Sequence, residues 1–282
     1  MCELMGMCFT KPIAADFTIR EFALRSEDNA DGWGLSWYPD QSAAVAKEPL
    51  RWGETKYTSF LETYSGMRST VYLAHVRHRT TGGTPTHADT HPFKRELNGR
   101  HYCFAHNGTL TGEFWEQPLS RFHPLGDTDS ERLFCLLLEE LADREGDLNS
   151  PEDWPWLAER LLAFNQEGKL NCLFSDGQRL FCYHDQKAFK GLTFRKVLIW
   201  GHDKRHFEDP EMSVDLGDET VNHGYVIATR PLSRTGWQRF YPGELLTFEQ
   251  GELRFSTHRD VTEPEQVLHK HKSPLVHGNG RS

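Results

Sequence analysis

Cys2 follows directly on Met1 in a chain of 282 residues. Once Met1 is removed, a cysteine in first position carries its own base. The α-amine titrates near ~7.7–8.0 and the thiol near ~8.5, so at neutral pH the amine can take the thiol proton. Three polar clusters, each at the end of an apolar run, accompany this nucleophile. Thr70-Val71-Tyr72-Leu73-Ala74 leads into His75-Val76-Arg77-His78-Arg79-Thr80-Thr81-Gly82. An Arg leaving a strand offers a guanidinium fork suited to a carboxylate, although a surface ion pair is its commoner use. Tyr102-Cys103-Phe104-Ala105 leads into His106-Asn107-Gly108. Asn-Gly after a strand is ordinarily a turn, but it also combines an amide side chain with a close backbone N–H, the donors of an oxyanion hole. In Gly126-Asp127-Thr128-Asp129-Ser130-Glu131 a helix cap accounts for Thr128 and Glu131 and leaves Asp129 to meet a cation.

Strand-like runs that would position these groups occur at 34–38, 70–76, 101–105, 170–174, 180–183, 194–200 and 225–228. Two helices are predicted. One starts at the capping box Thr128-Asp129-Ser130-Glu131 with the stripe Leu133, Phe134, Leu137, Leu138 and Leu141; the other starts at Ser150-Pro151 with Leu157, Leu161, Leu162 and Phe164. Strands, then two helices, then strands fit a mixed α+β domain that is largely antiparallel. One domain is expected over 2–262, followed by a polar, solvated tail over 263–282 that contains His269, His271 and His277.

Composition narrows the function. With Lys+Arg 32 against Asp+Glu 41 the net charge is −9, which argues against nucleic acid and anionic membrane as partners and favours a small-molecule substrate. No apolar run approaches the ~20 residues of a membrane span, and the N-terminus lacks the pattern of a secretory signal, so the cytoplasm is the expected compartment. The six cysteines include no C-x-x-C pair, and Cys8, Cys103, Cys135, Cys172 and Cys182 read as reduced thiols, most of them core. There is no H-E-x-x-H, phosphate loop or dinucleotide fingerprint, so neither a metal nor another cofactor is indicated.

A carboxylate-binding Arg, an ammonium-binding Asp, an oxyanion hole and a nucleophile together suit an α-amino acid whose side chain carries a scissile acyl group, such as glutamine or a γ-glutamyl compound. The ordered motifs Cys-Glu-Leu-Met-Gly, Asp-Gly-Trp-Gly, His-Val-Arg, Thr-His-Pro-Phe, His-Asn-Gly and Gly-Asp-Thr-Asp-Ser-Glu resemble those of class II glutamine amidotransferases, most closely the short, stand-alone YafJ-like branch. The resemblance runs from residue 2 to about 250. It implies an N-terminal-nucleophile fold, a four-layer αββα sandwich with two mostly antiparallel sheets. It also implies that Cys2 is the nucleophile, that Asn107 and Gly108 hold the oxyanion, that Arg77 takes the substrate carboxylate and Asp129 its ammonium. Trp33, within Asp31-Gly32-Trp33-Gly34 beside the nucleophile strand, would shape the pocket wall; His91 would order the Arg77 loop, and Thr80 would join the substrate site. Arg79 departs from the family, whose members often carry a small residue there. The implied activity is cleavage of a γ-carboxamide to glutamate and ammonia or amine. Two alternatives are an ammonia-supplying subunit whose acceptor enzyme comes in trans, and a non-catalytic γ-glutamyl-binding module.

Overall fold

Strand β1 (Glu3–Ala14) sends Met5, Met7 and Phe9 to one side and Leu4 and Cys8 to the other, as the two-residue period of a strand requires. That alternation decides which layer each residue joins. The computed structural model of the chain describes residues 2–14, 31–64, 66–77, 84–144, 147–200 and 221–261. Seven strands make one sheet, in the spatial order β11 (Gln238–Arg239), β9 (Thr193–Trp200), β10 (Val221–Ala228), β1, β4 (Arg68–Val76), β2 (Trp33–Trp37), β3 (Ala44–Glu48). Six make the other, in the order β13 (Glu252–Ser256), β12 (Leu245–Glu249), β8 (Arg179–Tyr183), β7 (Gly168–Ser175), β6 (Arg100–Leu110), β5 (Phe93–Leu97). The pairings in both sheets are antiparallel.

The sheets stack through an inner core in which Leu4, Cys8 and Leu73 meet Ala105, Leu173 and Phe248. Helix α1 (Lys56–Thr63) buries Leu61 on the outer face of the seven-stranded sheet, beside Trp33 and Trp52. Helices α2 (Asp129–Asp143) and α3 (Trp154–Phe164) cover the six-stranded sheet with Phe134, Leu138, Trp154 and Leu161. The layers are therefore helix, sheet, sheet, helix, the αββα sandwich of the α+β class.

All seven expected strands form, with shifted ends. Strands β1, β3, β5 and β11–β13 and helix α1 go beyond the expectation. β5 carries Lys94-Arg95-Glu96 and lies at a sheet edge, where polar residues replace the apolar run that marks a strand. Three local readings change. Asn107-Gly108 is not a turn, because β6 runs on to Leu110. Thr128 caps α2 by accepting from the Glu131 amide at 3.2 Å, but the buried Glu131 carboxylate accepts from the Leu125 and Gly126 amides and from Arg95 instead of completing the box. Leu162 faces solvent; it lies five residues after Leu157, off the stripe that Trp154 joins. The tail over 263–282 lies outside the described residues.

Candidate active site

The register of β1 on β4 pairs Glu3 with Val76. Carried one residue further, it sets Cys2 opposite Arg77 at the end of the central strand pair. The backbone N–H of Arg77 donates to the Gly32 carbonyl at 2.8 Å, which holds the residue as it leaves the sheet. From the other sheet, Asn107 Nδ2 donates to the Cys2 carbonyl at 2.8 Å, and Lys190 Nζ donates to Asn107 Oδ1 at 3.1 Å. Gly108 comes next and lies against β7. A Cβ there would stand 1.9 Å from the Lys169 carbonyl oxygen, so no other residue fits without moving the strand. Asp129, in the first turn of α2, accepts the Leu110 backbone N–H at 2.7 Å and so ties the helix start to the end of β6.

These groups surround a cavity of about 360 Å³, lined by Cys2, Arg77, Gly108 and Asp129 together with His75, His91 and His106. The His75 and His91 rings lie 4.3 Å apart, and burial first, then neighbouring positive charge, holds both well below the ordinary imidazole range. His106 is also lowered by burial, against the pull of Asp129. Its Nε2 faces the Lys169 carbonyl at 3.0 Å and therefore donates, which leaves Nδ1 to accept from Ser130 Oγ at 2.8 Å. With these imidazoles held toward the neutral form, Arg77 is the cation on the cavity wall among the described residues. Among the cysteines, Cys2 is half-buried and the other five are buried. Burial raises the Cys8 thiol to about 12 and Cys135 to about 11, and pushes Cys103, Cys172 and Cys182 up as well, so these five are poor nucleophiles.

The structure thus brings Cys2, Arg77, Asn107, Gly108, Asp129 and His91 to one end of the sandwich. Trp33 is elsewhere. Strand alternation turns it to the outer face of its sheet, where its ring packs 4.5 Å from that of Trp52. β2 also pairs with β4, not with β1, the strand that follows Cys2. Its neighbour Gly34 touches the site region instead: a Cβ there would meet the His91 carbonyl oxygen at 1.9 Å, so glycine lets the His91 segment lie against β2. Thr80 and Arg79 lie outside the described residues. His75, His106, Ser130 and Lys190 had no role assigned from sequence. The histidines and Ser130 stand within the polar clusters already singled out, whereas Lys190 has no local signal. Among the described residues no three His, Cys, Asp or Glu side chains gather as a metal site, and no helix is long and apolar enough to cross a membrane.

Comparison with known proteins bears on the family and the fold. The family model for glutamine amidotransferases class-II matches residues 1–272. An uncharacterized protein of Methanocaldococcus jannaschii is 37% identical over 261 residues, which cover 92% of this chain and 72% of that protein. The putative glutamine amidotransferase YafJ of Escherichia coli is 31% identical over 265 residues, 89% of this chain and 99% of that one. Among solved structures, a predicted glutamine amidotransferase from Pseudomonas aeruginosa superposes with a TM-score of 0.64 at 26% identity, covering 89% of this chain and 99% of that chain. The glutamine phosphoribosylpyrophosphate amidotransferase of B. subtilis shares the fold at 18% identity, with a TM-score of 0.60 over 90% of this chain and 48% of its own. The chain belongs to the class-II glutamine amidotransferases.

Proposed function

We propose that the protein hydrolyses the γ-carboxamide of glutamine, or of a γ-glutamyl amide, with Cys2 as nucleophile. The observation that carries this reading is the meeting of Cys2, Arg77, Gly108 and Asp129 on one cavity, with the Asn107 amide seated on the Cys2 carbonyl. A cavity of about 360 Å³ falls in the size range of small-molecule sites.

With Met1 removed, the α-amine takes the Cys2 thiol proton, and the thiolate adds to the amide carbon. The Asn107 amide has two N–H groups; one serves the Cys2 carbonyl, and the second, with the Gly108 backbone N–H, stabilises the oxyanion. The C–N bond then breaks, and the α-ammonium returns its proton to the departing ammonia or amine. Water attacks the γ-glutamyl thioester, which releases glutamate and restores the thiol. Arg77 holds the substrate α-carboxylate and Asp129 its α-ammonium.

Purified protein whose intact mass shows loss of Met1 is expected to release ammonia and glutamate from glutamine or from one of a panel of γ-glutamyl amides. Cys2→Ala is expected to bind the same substrate without turnover. A Cys2→Ala protein as fast as the unsubstituted one, or active native material that retains Met1, sinks the reading.

A further inference from the structure

Lys190 reaches the Cys2–Asn107 pair from a segment 83 residues beyond Asn107. An ammonium only donates and a carbonyl only accepts, so Lys190 on Oδ1 and the Cys2 carbonyl on Nδ2 select one of the two orientations of the Asn107 amide. The segment that carries Lys190 is itself anchored. Asp185 accepts the amides of Lys187 and Phe189 on Oδ1 and that of Leu170 on Oδ2, and Asn171 Nδ2 donates to the Phe189 carbonyl at 2.7 Å. Ala188 and Lys190 both adopt left-handed backbone, with φ of 56° and 53°, a conformation that needs such external support in residues other than glycine. The ammonium also lies 5.2 Å from the centre of the Phe189 ring.

The charges around it are mixed. Burial lowers the Lys190 pKa, Cys2 and Glu3 raise it, and Arg230 and Lys169 lower it. His75, on the cavity wall, has its pKa lowered by burial first and then by Arg77, His106 and Lys190. Since the Cys2 thiolate favours the charged Lys190, the charged Lys190 favours the thiolate equally.

We propose that Lys190 is a positioning residue for the nucleophile: it fixes the Asn107 amide toward Cys2 and keeps a positive charge one hydrogen-bonded side chain away from the nucleophile's residue. This inference rests on Cys2 as the nucleophile. Its consequence is a second determinant of thiol reactivity besides the α-amine, supplied by a residue far from every other site residue in sequence.

The test is the rate of Cys2 alkylation by iodoacetamide against pH, followed by mass spectrometry of the N-terminal peptide, on the full chain with Met1 removed and no substrate present. Lys190→Met is expected to move the midpoint up by roughly one pH unit, and in the turnover assay to lower kcat while leaving KM for glutamine unchanged. Lys190→Arg, which keeps charge and donors, is expected to restore the midpoint. An unmoved midpoint in folded Lys190→Met overturns the proposal; if that variant does not fold, the same result in Lys190→Gln does so. Alkylation needs no substrate, so a shifted midpoint in a protein that cleaves no γ-glutamyl compound would sink the proposed activity and leave the Lys190 assignment standing.

Discussion

Asp129 Oδ2 already accepts the Leu110 backbone N–H at 2.7 Å, so the carboxylate proposed for the substrate ammonium is preset by the fold rather than ordered on binding. The dual use makes its charge separable from its shape. Asp129→Asn keeps an oxygen for the Leu110 amide and loses the charge, so KM for glutamine is expected to rise by about 10- to 100-fold, the worth of a charge-assisted hydrogen bond, with thermal stability nearly unchanged. Steady-state kinetics beside a melting curve checks both halves; an unchanged KM would remove Asp129 from the binding site. The place of Asp129 on the cavity wall was suggested in sequence because a helix cap explained its neighbours and left it over. Trp33 was misread because its motif names a neighbourhood, while the side a strand residue faces is set by pairing and alternation.

Helix α2 shows what an element adds. Glu139, in its last turns, accepts three successive backbone amides on Oε1, from Ser120, Arg121 and Phe122 at 2.5–2.9 Å, and the Ser120 hydroxyl on Oε2 at 2.9 Å. Burial pushes its pKa up, but the four donors outweigh burial and bring the carboxyl from an ordinary 4.5 down to about 2. Because the folded pKa is depressed, the stabilisation is full above about pH 5 and fades as pH falls toward 2. Glu139→Gln is expected to cost roughly 1–3 kcal/mol at pH 7 and to approach the unsubstituted protein near pH 2, measured by urea unfolding across that range. A cost independent of pH would assign the effect to packing. The start of α2 was readable from its cap and stripe. The partner of Glu139 was not, because the segment that supplies the amides has no repeating pattern and reaches the helix only after the chain has folded back.

At the scale of the whole molecule, the site depends on how closely the two sheets approach. Gly6 sits on the inner face of β1, and a Cβ there would stand 3.0 Å from Leu180 Cδ2 and 3.1 Å from Leu173 Cδ1. Those are the ends of flexible side chains, so Gly6→Ala is expected to be tolerated. Gly6→Val adds bulk that must part the sheets, with an expected loss of about 1–3 kcal/mol in thermal unfolding. It should also lower kcat, since Cys2 and Asn107 face each other across the same gap. Equal stability of the two variants would show that the gap is not tightly packed. By itself the sequence determined strands β2, β4 and β6–β10, the two helices over the six-stranded sheet and the ordered motifs that place the chain in its family, because periodicity, caps and short motifs act over a few neighbouring residues. Only the tertiary structure decided that Asn107-Gly108 runs on within a strand, that Trp33 faces outward, that three buried histidines line the cavity and that Lys190 donates to the amide that holds the Cys2 carbonyl. Those facts depend on strand register and on the stacking of two sheets, which join residues far apart in the chain, 105 positions in the Asn107–Cys2 bond, and leave no mark on the local sequence.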